Sequence, residues 1–417
     1  MITPFGRILR QCREQTRLTQ VELADLSAVS VRAIRNLELG SARNPRRETV
    51  RLLADAMRLS GDRRAALHLA AGHQCEERPV NVNPAWPVEV LRPLEGRDRE
   101  VTALMSLLTI GERRIVRISG LSGVGKTHLA HEVAARLLTE HRIPSHRVAL
   151  DSGADTGSGT PDPWAAGLSV GDEQVIDEFC RLLGGRSQLL VLDGADNGRL
   201  PEPVAKRIAF KCPNTTIVIV SRLPSGRGSA HAFPLRPLCW GDALDSAPQF
   251  LLSRVRGVDP YFVVNEDNLS ALTEICGRLD GIPRALDAAA SWFSLSHPSE
   301  LARVARDEPL LLTVSPDEVE HEDWVHDAVL ATVASLTTDV TQLFDWVADR
   351  SRPWSMDDIS DALGLGRLRA ARGVHELLTR GLVRPEPAAG RAPVRFIALN
   401  LVREVARAKD ASRLAVA

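Results

Sequence analysis

The spacing of apolar residues divides the chain into a helical beginning, a middle of alternating strands and helices, and a second helical stretch. From Phe5 to about residue 72, Phe5, Ile8, Leu9, Leu18, Val21, Leu23, Leu26, Ile34, Leu37, Val50, Leu53, Ala54, Met57 and Leu59 recur at helical spacing, with no strand-like alternation. Between His73 and Pro93 the prolines of CEERPVNVNPAWPVEVLRP forbid a continuous helix, which marks a linker. From Leu94 four short apolar runs, Ile115–Ile118, Val148–Leu150, Leu189–Leu192 and Ile217–Val220, are parted by helical patterns. Such runs are expected of buried parallel strands joined by crossovers. The segment DSGADTGSGTPDPWAAGLSVGD between Val148 and Val175 reads as exposed loop. After Pro237 the pattern is helical to about Leu312. A last helical block from Trp324 leads to two short apolar segments, Gly381–Arg384 and Val394–Ile397, as in a winged helix.

The expected architecture is therefore multidomain: an all-α helix-turn-helix head (1–75), a linker (76–93), an α/β phosphate-loop nucleotide-binding domain with a parallel sheet (94–236), a helical domain (237–322), and a winged-helix domain with a C-terminal tail (323–417). No repeat of solenoid length is present.

Charge sharpens this division. The chain has a net charge of -1, yet residues 1–75 hold thirteen arginines against seven carboxylates, so the head is basic and the remainder acidic. Lysine occurs only at 126, 206, 211 and 409, which makes Lys126 conspicuous. Cys12, Cys75, Cys180, Cys212, Cys239 and Cys276 are scattered without CxxC spacing, so neither a zinc site nor a disulfide framework is expected. No apolar run of spanning length and no signal peptide is found, and a cytoplasmic location without membrane contact is expected.

The strongest chemical signal is IVRISGLSGVGKTHLAHEVAARLL, an apolar strand, a glycine-rich turn and an amphipathic helix that together satisfy GxxxxGK[ST]. Gly120, Gly123 and Gly125 let backbone N–H groups curl round a β-phosphate, Lys126 neutralises β- and γ-oxygens, and Thr127 offers a hydroxyl to Mg²⁺. A chance glycine-rich turn is the weaker reading, because strand and helix flank the motif as the chemistry needs. QLLVLDGADN supplies a second strand, ending in Asp193, placed to hold the Mg²⁺ water shell. Asp196 either orients an attacking water or caps the next turn. In TTIVIVSR the strand ends at Ser221-Arg222, where the arginine either reports a γ-phosphate or lies on the surface. LDGIPRALDAAA places Pro283 in the first turn of a helix.

From about Leu94 to Arg407, roughly three quarters of the chain, these residues resemble the NB-ARC class of signalling ATPases. The resemblance implies ATP/ADP and Mg²⁺ as cofactors. It places Gly96, Arg97 and Asp98 of LEGRDREV at the adenine side and packs Pro283 of Gly281-Ile282-Pro283-Arg284 on the base. Ser122, Val124 and His128 are expected at the nucleotide site beside the glycines, Lys126 and Thr127. HAFPLRPL is similar to the family's bridge from sheet to helical domain, and RFIALNLVREVA to the segment closing its winged helix. The chain departs from the family at Ala398-Leu399-Asn400, where the histidine that senses a diphosphate is missing.

In the head, one helix over Thr19–Ser27 and a second over Ser30–Leu37 are expected, with Thr19 and Ser30 as N-caps. The segment over 5–72 resembles the Xre, or lambda-repressor-like, family. Read as a helix-turn-helix, the segment is expected to lay its second helix in the major groove of double-stranded DNA, with Ser30, Val31, Arg32 and Arg35 toward bases and Gln20, Arg43, Arg46 and Arg47 toward phosphates. Ala28 stands where the family often has glycine, and a left-handed alanine costs about 1 kcal/mol.

Three functions compete. The first is a transcriptional regulator in which ATP/ADP exchange controls self-assembly and operator binding, in response to an unidentified protein or small molecule. The second is a stress- or phage-defence ATPase whose head recruits a protein. The third is an enzyme whose main output is ATP hydrolysis. A switch requires slow turnover at most.

Overall fold

The computed structural model describes residues 4–16, 18–42, 45–57, 59, 67, 70–71, 94–110, 114–150, 164–195, 202–223, 230–241, 244–317, 324–386 and 394–416. The head comprises α1 (Pro4–Gln15), α2 (Gln20–Ser27), α3 (Val31–Glu38) and α4 (Arg47–Ala56). Thr19 and Glu22 form a reciprocal capping box that starts α2, and the Ser30 hydroxyl accepts the Ala33 amide at the start of α3. Ala28, φ 55°, adopts the left-handed turn conformation between the two helices. Phe5, Leu9, Leu23, Ile34, Leu37, Val50 and Leu53 form the head's core.

The central part runs α5 (Asp98–Thr109), β1 (Ile115–Ser119), α6 (Lys126–His141), β2 (Ser145–Ala149), α7 (Ala165–Val170), α8 (Glu173–Leu183), β3 (Gln188–Asp193), α9 (Glu202–Lys211), β4 (Thr215–Val220) and β5 (His231–Pro234). All five strands are parallel, in the order β2-β3-β4-β1-β5. Alternating side chains point to opposite faces of the sheet. Val116, Ile118, Leu189, Val191, Val218 and Val220 face α5 and α6, while Ile115, Leu190, Leu192, Ile217 and Ile219 join the residues of α8 and α9. Because β4 lies between β1 and β3, its C-terminal end sits between the phosphate loop and Asp193.

Two elements differ from the sequence reading. The fifth strand, β5, escapes the apolar-run criterion because HAFP is a short edge strand with alternate residues exposed and a terminal proline. Within the expected loop between Val148 and Val175, residues 151–163 lie outside the described residues. Residues 165–170, however, form α7, held by buried Ala165 and Leu168 and ended by left-handed Gly171.

Beyond the sheet, α10 (Ser246–Val258), α11 (Glu266–Arg278), α12 (Pro283–Ser291) and α13 (Pro298–Asp307) make a helical layer, followed by α14 (Trp324–Ala334). The last part comprises α15 (Thr338–Ala348), α16 (Met356–Leu363), α17 (Arg367–Thr379), β6 (Val383–Glu386), β7 (Arg395–Ala398) and α18 (Asn400–Val416). β6 and β7 pair antiparallel as a two-stranded sheet, to which Trp354 adds an isolated antiparallel bridge at Phe396, giving three helices and a small sheet in winged-helix order. One apolar cluster runs without a break from the α5/α6 face of the central sheet through α10–α13 into this part. No helix among the described residues is long and apolar enough to cross a membrane.

Candidate nucleotide site and helix-turn-helix head

The loop between β1 and α6 is built as a phosphate cradle. Gly125 caps α6 with φ 95°, a conformation costly for any residue with a Cβ, and nothing lies within 4 Å of where that Cβ would be. The start of α6 therefore opens on free space, and the N-terminal end of a helix favours an anion. Lys126 is buried, and its ammonium donates to the Gly120 and Leu121 carbonyls, both at 2.9 Å. Ser122 and His128 are partly exposed at the loop, and Val124 is buried beneath it.

The Thr127 hydroxyl donates to Asp193 Oδ1 at 3.1 Å, so the loop hydroxyl and the β3 carboxylate meet. These hard oxygen donors suit Mg²⁺, which Thr127 and Asp193 would hold. The second carboxylate oxygen is engaged by a residue that sequence reasoning did not single out. Arg147 on β2 donates to Asp193 Oδ2 from Nη2 at 2.6 Å and from Nε at 3.1 Å. Arg222 is partly exposed just past β4, where Ser221 Oγ closes a turn with Leu223. Asp196 lies outside the described residues.

Arg97, expected at the adenine side, contacts the phosphate loop itself. Its guanidinium is buried, donating to the Val124 carbonyl at 3.0 Å and to Glu100 at 2.8 Å, so it braces the loop from below. Burial pushes its pKa down, and Glu100 works in the opposite direction. Gly96, exposed and at φ 69°, passes close to Ser246 at the start of α10.

Residues distant in sequence close over the loop. The helix beginning at Pro283 brings the Arg284 amide to the Gly123 carbonyl at 3.1 Å. The buried Trp324 ring lies so close that a Cβ on Gly123 would sit 2.8 Å from its carbons, and the Arg284 guanidinium stacks 4.7 Å from that ring. Gly381, just before β6, approaches Leu121 from the winged-helix side. The apolar periods marked Trp324 as a helix start, but nothing local indicates that it touches the loop.

At Ala398-Leu399-Asn400 the winged-helix part is tied to the helical layer. Asp280, fully buried, accepts the Asn400 and Leu401 amides at 2.9 and 2.8 Å, capping α18 across the interface. The Asn400 side chain donates to the Gly277 carbonyl at 2.8 Å. Burial raises the Asp280 carboxyl to about 7 against the pull of these amides and of Arg384 and Arg403.

In the head, Val31, Arg32 and Arg35 are exposed on α3, and Arg46 is exposed at the cap of α4. Ser30 is exposed but uses its hydroxyl as the α3 cap. Gln20, expected at phosphates, directs its amide N–H to Glu38 Oε2 at 2.7 Å. Glu38 is buried and also paired with Arg13 at 2.7 Å, so the first residue of α2 helps to satisfy a core carboxylate whose charge Arg13 balances. Arg43 lies outside the described residues, as does the Arg47 side chain.

The fold and site thus define a chain that joins a helix-turn-helix head to a phosphate-loop nucleotide fold. Residues 4–67 match the family model of the helix-turn-helix domain. Among curated proteins, the chain is 30% identical over 200 residues to the "Putative HTH-type transcriptional regulator Rv0890c" of Mycobacterium tuberculosis, covering 46% of this chain and 22% of that protein. It is 28% identical over 216 residues to an uncharacterized protein of the same organism, covering 49% of this chain and 52% of that one. Among solved structures, it is similar to a Signal Transduction ATPase with Numerous Domains (STAND) protein with a tetratricopeptide repeat sensor from Pyrococcus horikoshii. That match has a TM-score of 0.30 and 14% identity, covering 76% of this chain and 43% of that one. It is also similar to AMPPCP-bound DnaA from Aquifex aeolicus, with a TM-score of 0.36 and 14% identity, covering 71% and 92% respectively.

Proposed function

We propose that this chain is a DNA-binding transcriptional regulator switched by ATP and ADP, with the nucleotide state controlling self-assembly and operator binding. The observation that carries this reading is the convergence on Gly123. One phosphate-loop residue is held by the Arg284 amide of the helical layer and covered by Trp324 of the last part. A ligand that reshapes this loop must shift both contacts, which turns binding energy into movement of whole segments.

In this reading the loop amides and Lys126 take the phosphates, Arg222 faces the γ-position, and Pro283 borders the base. Thr127 and Asp193 would hold Mg²⁺, which would supply charge neutralisation for the phosphates. Lys126 leaves its two loop carbonyls to meet phosphate, and Arg97 keeps the loop's underside fixed. A single head offers few contacts to DNA, so pairing of heads on assembly is the natural route to affinity for an operator. Footprinting of the full chain with ATP and with ADP tests the reading. Protection of one discrete site in the ATP state, lost in Lys126→Ala, is expected. Equal, sequence-blind binding with both nucleotides would refute it.

A second reading, a head that recruits a protein in stress or phage defence, draws support from the exposed Val21 and Leu26 on α2 and Leu39 after α3. Loss of a bound protein in Leu26→Ser with DNA binding intact would favour it.

A further inference from the structure

We propose that Arg147 is a positioning residue that competes with Mg²⁺ for Asp193, making diphosphate binding independent of the metal. This inference rests on the nucleotide reading of the phosphate loop. An ionised carboxylate offers about four acceptor positions. Thr127 takes one on Oδ1, while Nε and Nη2 of Arg147 take both on Oδ2. Only one position remains for a metal-bound water, and the guanidinium already neutralises the charge that would attract the cation.

The placement is dictated by the sheet. Ala149 lies in register with Asp193, and Arg147, two residues earlier on the same strand face, reaches along β2 to the carboxylate. Arg147 and Asp193 are both nearly buried, so their attraction is little screened by solvent. The positive charge of Arg147 reaches beyond Asp193. His131 on α6 is pushed toward its neutral form by burial and by the charges of His128 and Arg147. A dication entering beside Asp193 meets this positive charge unless a further phosphate offsets it, so the metal is admitted with a triphosphate and turned away with a diphosphate.

The test is calorimetric titration of the full chain, stripped of nucleotide, with ADP in EDTA or in millimolar MgCl₂. Wild type is expected to bind ADP within about twofold under both conditions, whereas Arg147→Met gains about tenfold in affinity with MgCl₂. Arg147→Lys, which keeps a cation near Oδ2, restores much of the wild-type indifference, a result that a purely structural arginine would not give. Thermal melts of the nucleotide-free variants separate misfolding from altered metal preference. A wild type whose ADP affinity depends on MgCl₂ as strongly as that of Arg147→Met overturns the inference while leaving the nucleotide reading intact. Absence of ADP binding by wild type in either buffer overturns both.

Discussion

The buried carboxyl of Asp280 accepts the backbone amide of Leu401 at 2.8 Å, and through this bond the turn before α12 caps the last helix of the winged-helix part. Asp280 holds φ 56°, a left-handed backbone that asparagine and glycine tolerate better than most residues. Strain is therefore kept at a position whose side chain joins two segments. Asp280→Asn preserves the backbone preference but turns an amide N–H toward one of the two N–H donors. Leaving a buried donor unpaired costs about 1–3 kcal/mol. The expected outcome is faster hydrogen exchange at residues 400–405 with the central sheet unaffected. Uniform destabilisation of the whole chain would argue that Asp280 is simply part of one cooperative core.

The same carboxyl predicts a pH dependence. Its pKa is about 7 in the folded chain and 3.8 as an ordinary aspartate, so between these values the folded state holds a proton that the unfolded chain has released. Stability from this group is full below pH 3.8, falls as pH rises toward about 7, and is flat above it. Melting temperatures of wild type and Asp280→Asn, compared from weakly acidic to weakly alkaline buffer, should show wild type losing ground across that window. A constant difference would mean that the carboxylate stays ionised, with the α18 amides and the arginines outweighing burial.

Asp280 and Asn400 mark where the sequence ceases to be legible. The phosphate loop, the Asp193 strand and the helix-turn-helix are local: their glycines, caps and apolar periods lie within about one element of the chemistry. Asp280 and Asn400 are far apart in the chain, and the missing histidine drew notice to 398–400 without indicating that a carboxylate from before α12 would fill the role of a tie. Arg147 was hidden for a related reason. One arginine in a short strand carries no periodic signal, and its partner is set by the register of β2 on β3. β5 was missed because an edge strand need not be apolar on both faces.

Gly123 tests the coupling of loop to cover. Its φ is 80°, and an added Cβ would lie 2.8 Å from the Trp324 ring and 3.0 Å from Arg284 Cβ. An aromatic ring cannot yield as a flexible chain end can, and the left-handed backbone adds about 1–2 kcal/mol. Gly123→Ala is expected to displace Trp324, reddening the part of the tryptophan emission that disappears in Trp324→Phe, and to weaken nucleotide binding at least tenfold. Unchanged emission together with unchanged affinity would remove the basis for treating the loop as a lever.

The head makes a separable prediction. Arg32 and Arg35 are exposed on α3, and Arg46 is exposed one helix away at an N-terminus, which suits a base-reading pair and a backbone contact. Arg32→Ala or Arg35→Ala should cost about 1–3 kcal/mol against the preferred site and little against random duplex, while Arg46→Ala should weaken both and lower the salt slope by about 1. Gln20→Ala is expected to act differently from the arginines. Because its amide serves Glu38 beside Arg13, the loss should appear first as a less stable head, visible by hydrogen exchange in α1–α3 before any change in sequence preference. A Gln20→Ala protein with an unaltered head and a reduced salt slope would return that residue to the phosphate backbone.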